Sequence, residues 1–143
     1  MPVMKSAMQK LGLLVVFLSL ASIGVAQDAP SIWDGIFSAE QANRGEAVYT
    51  EACIACHGQD LGGNSNAPGL VGMGFMFLWE GRTVGEFFEK IRSEMPTDRP
   101  GQLSIQSYLD VVSYILRKNA FPAGDAILPS DAAILDAITI ASE

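Results

Sequence analysis

The chain has 143 residues, 49% of them apolar, with 16 acidic against nine basic side chains and a formal net charge of -7. That length suits one domain rather than two, and an acidic surface repels nucleic acid and anionic lipid headgroups, which argues against a nucleic-acid-binding protein. Two cysteines and a single histidine confine any thiol or imidazole chemistry to one place.

From the N-terminus, Met1 to Lys10 contains Lys5 and Lys10 and no acid, and Leu11 to Ala21 is almost wholly apolar. The segment SIGVA then ends at Ala26, with Gly24 and Ala26 as small residues for a signal peptidase. This order reads as a secretory signal over residues 1–26, cleaved after Ala26, and predicts a periplasmic protein. The apolar run falls short of the roughly 20 residues that span a bilayer. No stable membrane anchor is expected, with retention of the segment as the alternative. Without Lys5 and Lys10, residues 27–143 carry seven basic residues against 16 acids, a net of -9. Such a surface favours partners with a basic docking face. An oxidising compartment also implies that Cys53 and Cys56 are each bonded to something.

Residues 27–38 form an N-terminal extension. Ser38 with Gln41 three residues on predicts a capping box and a helix over Ala39 to Ala52. Gly45 and Tyr49 share one face of it, and a mid-helix glycine costs roughly 1 kcal/mol relative to alanine unless another helix crosses there. Residues 58–74 are glycine-rich and predict a loop without helix or long strand. Thr83 and Glu86 form a second capping-box signature, opening a helix from Val84 to about Ser93 with Phe87, Phe88 and Ile91 inward. Pro96 and Pro100 bracket an irregular stretch. Ser104 caps a helix over Ile105 to Lys118, apolar on about half its surface through Tyr108, Val111, Val112, Ile115 and Leu116. Arg117 and Lys118 complement its dipole. Residues 120–143 are a tail packed on the domain of residues 39–119, with Pro129-Ser130-Asp131 starting a helical turn. The fold class is all-α, three main helices and long loops. Its core looks thin without a large apolar insert.

The sequence CIACH, residues 53–57, gathers both cysteines and His57. A redox disulfide would sit after a buried strand, whereas here a capped helix precedes the pair. Structural zinc needs four ligands, and the chain has no further Cys or His. Covalent attachment of one haem c uses all three residues: Cys53 and Cys56 as thioethers, His57 as the proximal iron ligand.

These residues resemble a class I (monohaem) bacterial cytochrome c over roughly residues 39–119. The resemblance rests on Gly45 and Tyr49, on Cys53-Ile54-Ala55-Cys56-His57-Gly58, on Pro68-Gly69-Leu70-Val71-Gly72, on Met95-Pro96 and on a last helix bearing Tyr114. It implies a fold in which three helices wrap one haem, with Gly45 and Tyr49 against the Val111 to Ile115 face. It also implies that the Pro68 carbonyl accepts the proton of the proximal imidazole. The tail, with Asn119-Ala120-Phe121-Pro122-Ala123-Gly124 and Leu128-Pro129, is similar to small cytochromes that accept electrons from periplasmic quinoprotein dehydrogenases.

Of the methionines after residue 26, Met95 lies between two predicted helices and is held extended by Pro96. It is the expected sixth iron ligand, a choice that suits a high potential. Met73 and Met76, with Phe75, Phe77, Leu78 and Trp79, read as pocket wall and core. Arg82 and Arg99 are candidates to pair with haem propionates. No spaced carboxylates suggest acid–base catalysis, so no enzyme activity is expected. The leading expectation is a periplasmic electron carrier cycling haem iron between ferrous and ferric states, from a dehydrogenase toward a terminal oxidase or another cytochrome. The alternatives are an open iron site for a small ligand or peroxide, and a permanent electron-transfer subunit of a dehydrogenase complex.

Overall fold

The computed structural model describes residues 29–143; the expected signal segment lies outside the described residues. Six helices follow in order: α1 (Ala39–Ala52), α2 (Ile54–His57), α3 (Gly72–Trp79), α4 (Val84–Glu94), α5 (Ile105–Lys118) and α6 (Ala132–Asp136). Among the described residues there is no sheet, only isolated bridges such as Ser38 with Gly124 and Thr83 with Thr139. The protein is all-α.

The central packing is α1 across α5, and Gly45 permits it. A Cβ added at Gly45 would stand 1.8 Å from the Asp110 carbonyl oxygen and 2.8 Å from Tyr114 Cβ. Beside this point the rings of Tyr49 and Tyr114 lie 5.4 Å apart. Arg44 holds the other flank, with Nε and one terminal nitrogen donating to the buried Asp110 carboxylate at 2.9 and 3.0 Å. Gln106 adds a third donor to the same group at 2.7 Å. A buried carboxylate is tolerated only when its lone pairs are satisfied in this way.

Helix α5 is buried on all sides from Tyr108 to Leu116, not on half its surface as its apolar pattern suggests. The reason is that Ser113 returns its hydroxyl to the Leu109 carbonyl and Asp110 is paired, so the polar positions also tolerate burial. The core is also fuller than the three main helices imply. Ile32, Ile36 and Phe37 join it from the N-terminal extension, and Phe121, Leu128, Leu135, Ile138 and Ile140 from the tail. A thin core therefore gives no argument for an apolar insert. The tail is fixed by backbone hydrogen bonds: Val84 N–H to Ile138 O at 2.9 Å and Ile140 N–H to Arg82 O at 2.8 Å.

The caps explain where α1, α4 and α5 begin. Thr83 and Glu86 make a complete capping box. Ser38 accepts from the Gln41 N–H, but Gln41 does not reach back to Ser38. Its buried amide instead bonds both backbone groups of Leu128, at 3.1 and 2.9 Å. Tying down the tail outweighs the second half of the box. Helix α3 is a further departure, since it begins inside the stretch expected to be loop. Its first N–H, from Gly72, is capped at 2.9 Å by Asn119 Oδ1, and Phe75 and Trp79, four residues apart, bury one face.

Glu86 is held below the ordinary carboxylate value, first by the Thr83 backbone N–H and then by Arg82. A lowered folded-state value contributes stability above the ordinary value and loses it as pH falls through the folded one. Acid should therefore fray the start of α4. At the crossing, Gly45→Ala should destabilise the protein by about 3 kcal/mol in urea titration, because rigid backbone stands where the methyl would go. An unchanged midpoint would mean that the helices do not cross there.

Candidate functional site

Helix α1 runs through a one-residue junction at Cys53 into α2, a single turn ending at His57. So short a helix leaves its last carbonyls without intrahelical partners. Three other parts of the chain satisfy them. Asn64 Nδ2 donates to the Cys56 carbonyl at 2.7 Å, the Gly63 N–H to the His57 carbonyl at 2.9 Å, and the Tyr49 hydroxyl to the Gly58 carbonyl at 2.6 Å. The backbone of the motif is thus held from α1 on one side and from the following loop on the other.

The same loop reaches the imidazole. Pro68 O lies 2.9 Å from His57 Nδ1, the contact that the resemblance implies. With a carbonyl as partner, Nδ1 is the nitrogen that donates, so the neutral ring presents its lone pair at Nε2. His57 is 7% exposed, so its ring is otherwise enclosed. The loop depends on Gly63, at φ +73°, where a Cβ would lie 2.4 Å from Ala67 O and 2.5 Å from the Pro68 carbonyl carbon. Asn64 closes the turn, its Oδ1 accepting from the Asn66 and Ala67 N–H groups at 2.8 and 3.2 Å. Leu61, fully buried at φ +60°, accepts at its carbonyl from the Leu70 N–H at 2.7 Å. Asn119 fastens the far end, donating to Leu70 O and accepting from Gly72.

The two thiols are not joined; Cys53 is partly buried and Cys56 exposed. Burial pushes the Cys53 thiol up to about 11, against the opposing pull of the Arg99 charge. Among the described residues no group of three or more His, Cys, Asp or Glu side chains is placed to hold a metal ion. The donor set that is present, two thiols and one imidazole within a single turn and its cap, fits thioether attachment of a haem whose iron His57 would ligate.

Met95 is the C-cap of α4, extended at φ -120° and ψ 151°, and half-buried. Its carbonyl accepts from the buried Tyr108 hydroxyl at 2.8 Å, which fixes its backbone against α5. Arg82 is committed elsewhere, stacked 4.5 Å over Trp79 and paired with Glu86. Phe75 and Trp79 are core, packed against Phe87, but Met73, Phe77 and Leu78 are 88%, 89% and 45% exposed. Only one side of α3, that of Phe75 and Trp79, meets the described residues, and Met73, Phe77 and Leu78 lie on the other. A cleft of about 580 Å³ between α4 and α6 is lined by Arg82 but by none of Cys53, Cys56, His57, Pro68 and Met95, and is edged by charged side chains such as Glu86, Lys90 and Asp136.

The sequence reading missed Asn64, Asn119 and the hydroxyl of Tyr49. An asparagine among glycines is a turn signal and could have marked Asn64. The partners of the other two are not legible from spacing.

The described residues combine an all-helical fold with one CxxCH turn whose imidazole is hydrogen-bonded to a backbone carbonyl. Residues 40–115 match the family described as cytochrome c oxidase, cbb3-type, subunit III, and the chain belongs to that family. Its general role is in electron transfer linked to respiratory complexes. No curated protein matches. Among solved structures, the sulfane dehydrogenase SoxCD from Paracoccus pantotrophus has a chain with 17% identity and a TM-score of 0.47, covering 82% of this chain and 68% of that one. Among the described residues no helix is long and apolar enough to cross a membrane.

Asn64→Ala should remove the donor to Cys56 O and the one acceptor of both turn N–H groups, costing about 1–3 kcal/mol in thermal or urea unfolding. Amide exchange at Asn66 and Ala67 should accelerate in the same variant. Unchanged exchange there would show that the side chain does not hold the loop.

Proposed function

We propose that this protein is a c-type haem electron-transfer subunit, exported to the periplasm and working within a respiratory or dehydrogenase assembly. The observation that carries the reading is the hydrogen bond from His57 Nδ1 to Pro68 O on a CxxCH turn. Family membership supports the assembly-bound form, and a freely diffusing carrier is the second reading.

In this reading Cys53 and Cys56 Sγ would hold one haem c through thioethers, and His57 Nε2 and Met95 Sδ would face its iron. Haem held there would supply one-electron exchange between ferrous and ferric iron. Pro68 keeps the Nδ1 proton on His57 and so strengthens Nε2 as a donor. The Gly63, Asn64 and Tyr49 hydrogen bonds prevent the turn from shifting when charge changes beside it. Tyr108 steadies the Met95 backbone. In this reading the chain supplies no acid, base or nucleophile, and it acts as a conductor between a dehydrogenase and a terminal oxidase or another cytochrome rather than as an enzyme.

Met95→Ala should leave the haem attached, lower the reduction potential and open the ferrous protein to carbon monoxide, read in visible spectra. If the native protein already binds carbon monoxide, the open-site reading replaces this one. Isolation from the host under gentle conditions should yield the chain with a stoichiometric redox partner. Recovery as a lone haem protein that exchanges electrons freely would favour the diffusing carrier.

A further inference from the structure

Helix α3 presents its apolar residues the wrong way round for a domain that stands alone. Phe75 and Trp79 fill its inner face, while Met73 and Phe77, also four apart, project from the outer face at 88% and 89% exposure. No residue from Gly69 to Trp79 is charged. An exposed phenylalanine, methionine and half-exposed leucine on one turn and a half of helix form an apolar patch of the sort that binds a partner. The patch is held in place before any partner arrives, because Asn119 fixes Gly72 at the start of the helix and the buried ring pairs fix its inner face. It also follows directly on the loop that carries Pro68.

The charge balance states what covers it. The described residues carry 15 acidic against seven basic side chains, and six of those seven are already paired with carboxylates of the chain. Exposed Glu80 stands at the end of α3, and Lys118, the remaining base, lies beside Asn119 near its start. A second copy would bring the same net negative charge against itself, and an anionic bilayer would be repelled for the same reason.

We infer that Met73, Phe77 and Leu78 form the docking surface for a redox partner subunit whose own face has an apolar centre and a Lys/Arg rim. The inference rests on the electron-transfer reading above, and names its partner by surface chemistry. Charge then steers the encounter, and the apolar centre sets the lifetime of the contact.

The test places a photo-crosslinking amino acid at Phe77 of the full chain, produced in its own host, and identifies the linked peptide by mass spectrometry. The expected product is one respiratory or dehydrogenase subunit, linked at an apolar position with lysine or arginine neighbours. Binding of that purified subunit should then weaken with added salt and fall about tenfold in Phe77→Ser, as for loss of a buried aromatic anchor. Ile127→Ser, at another exposed apolar site, should leave binding unchanged. No protein crosslink, a crosslink to a second copy, or binding indifferent to Phe77→Ser overturns the inference. So does attachment to phosphatidylglycerol–phosphatidylethanolamine vesicles that Phe77→Ser abolishes. Haem content is read separately by intact mass: a haem-free chain would remove the proposed function, while the crosslink would still report what covers α3.

Discussion

The four-residue helix α2 cannot satisfy its own carbonyls, and much of the architecture around it answers that constraint. Left to water, those groups would let the turn fray, since so short a helix has almost no intrinsic stability. The chain supplies Tyr49 from the preceding helix and Gly63 and Asn64 from the following loop, one donor for each of three consecutive carbonyls. The loop can return only because Gly63 leaves room for the Pro68 backbone. Its return brings a fourth contact, Pro68 to His57. One fold-back therefore fixes both the backbone and the ring orientation of the histidine.

That fold-back needs a platform, and α1 crossed on α5 is the platform. Tyr49 reaches Gly58 from a helix seated by Gly45, and Asn119 at the end of α5 pins the loop where it becomes α3. Met95 and its loop rest on Tyr108 of the same helix. Helix α5 thus braces both segments proposed to flank the iron. A rigid frame of this sort lowers the structural change that accompanies a change of charge, which is what an electron-transfer protein requires of its scaffold. The acidic surface and the outer face of α3 lie outside this frame and are free to serve recognition.

Much of the frame was legible in the sequence because it depends on local signals. Ser38, Thr83 and Ser104 mark the starts of α1, α4 and α5, and the crossing glycine is visible as an otherwise unfavourable Gly45 in a helix. The rest was hidden for physical reasons. Gln41 satisfies a capping rule equally well whether it caps or, as here, bonds Leu128 far along the chain. Two glycines near the start of α3 lower its helix propensity, and only the tertiary cap from Asn119 with the burial of Phe75 and Trp79 restores it. The apolar letters of α3 do not say which side meets the core, so Phe77 and Leu78 read as wall. The burial of Asp110 and Ser113 does not show in the sequence either, since their partners lie on another helix or on the preceding turn. At the site, the motif announced its chemistry by residue type alone, whereas the hydrogen bonds that hold it do not leave a pattern in sequence.

The central claim is that Cys53, Cys56 and His57 hold a covalent haem in an exported electron-transfer protein. Intact mass of the protein recovered from its host tests this most directly. The account predicts residues 27–143 plus one haem, with the haem retained after extraction in acidified acetone. A mass equal to the same residues alone, less two hydrogens for a Cys53–Cys56 disulfide, would contradict it.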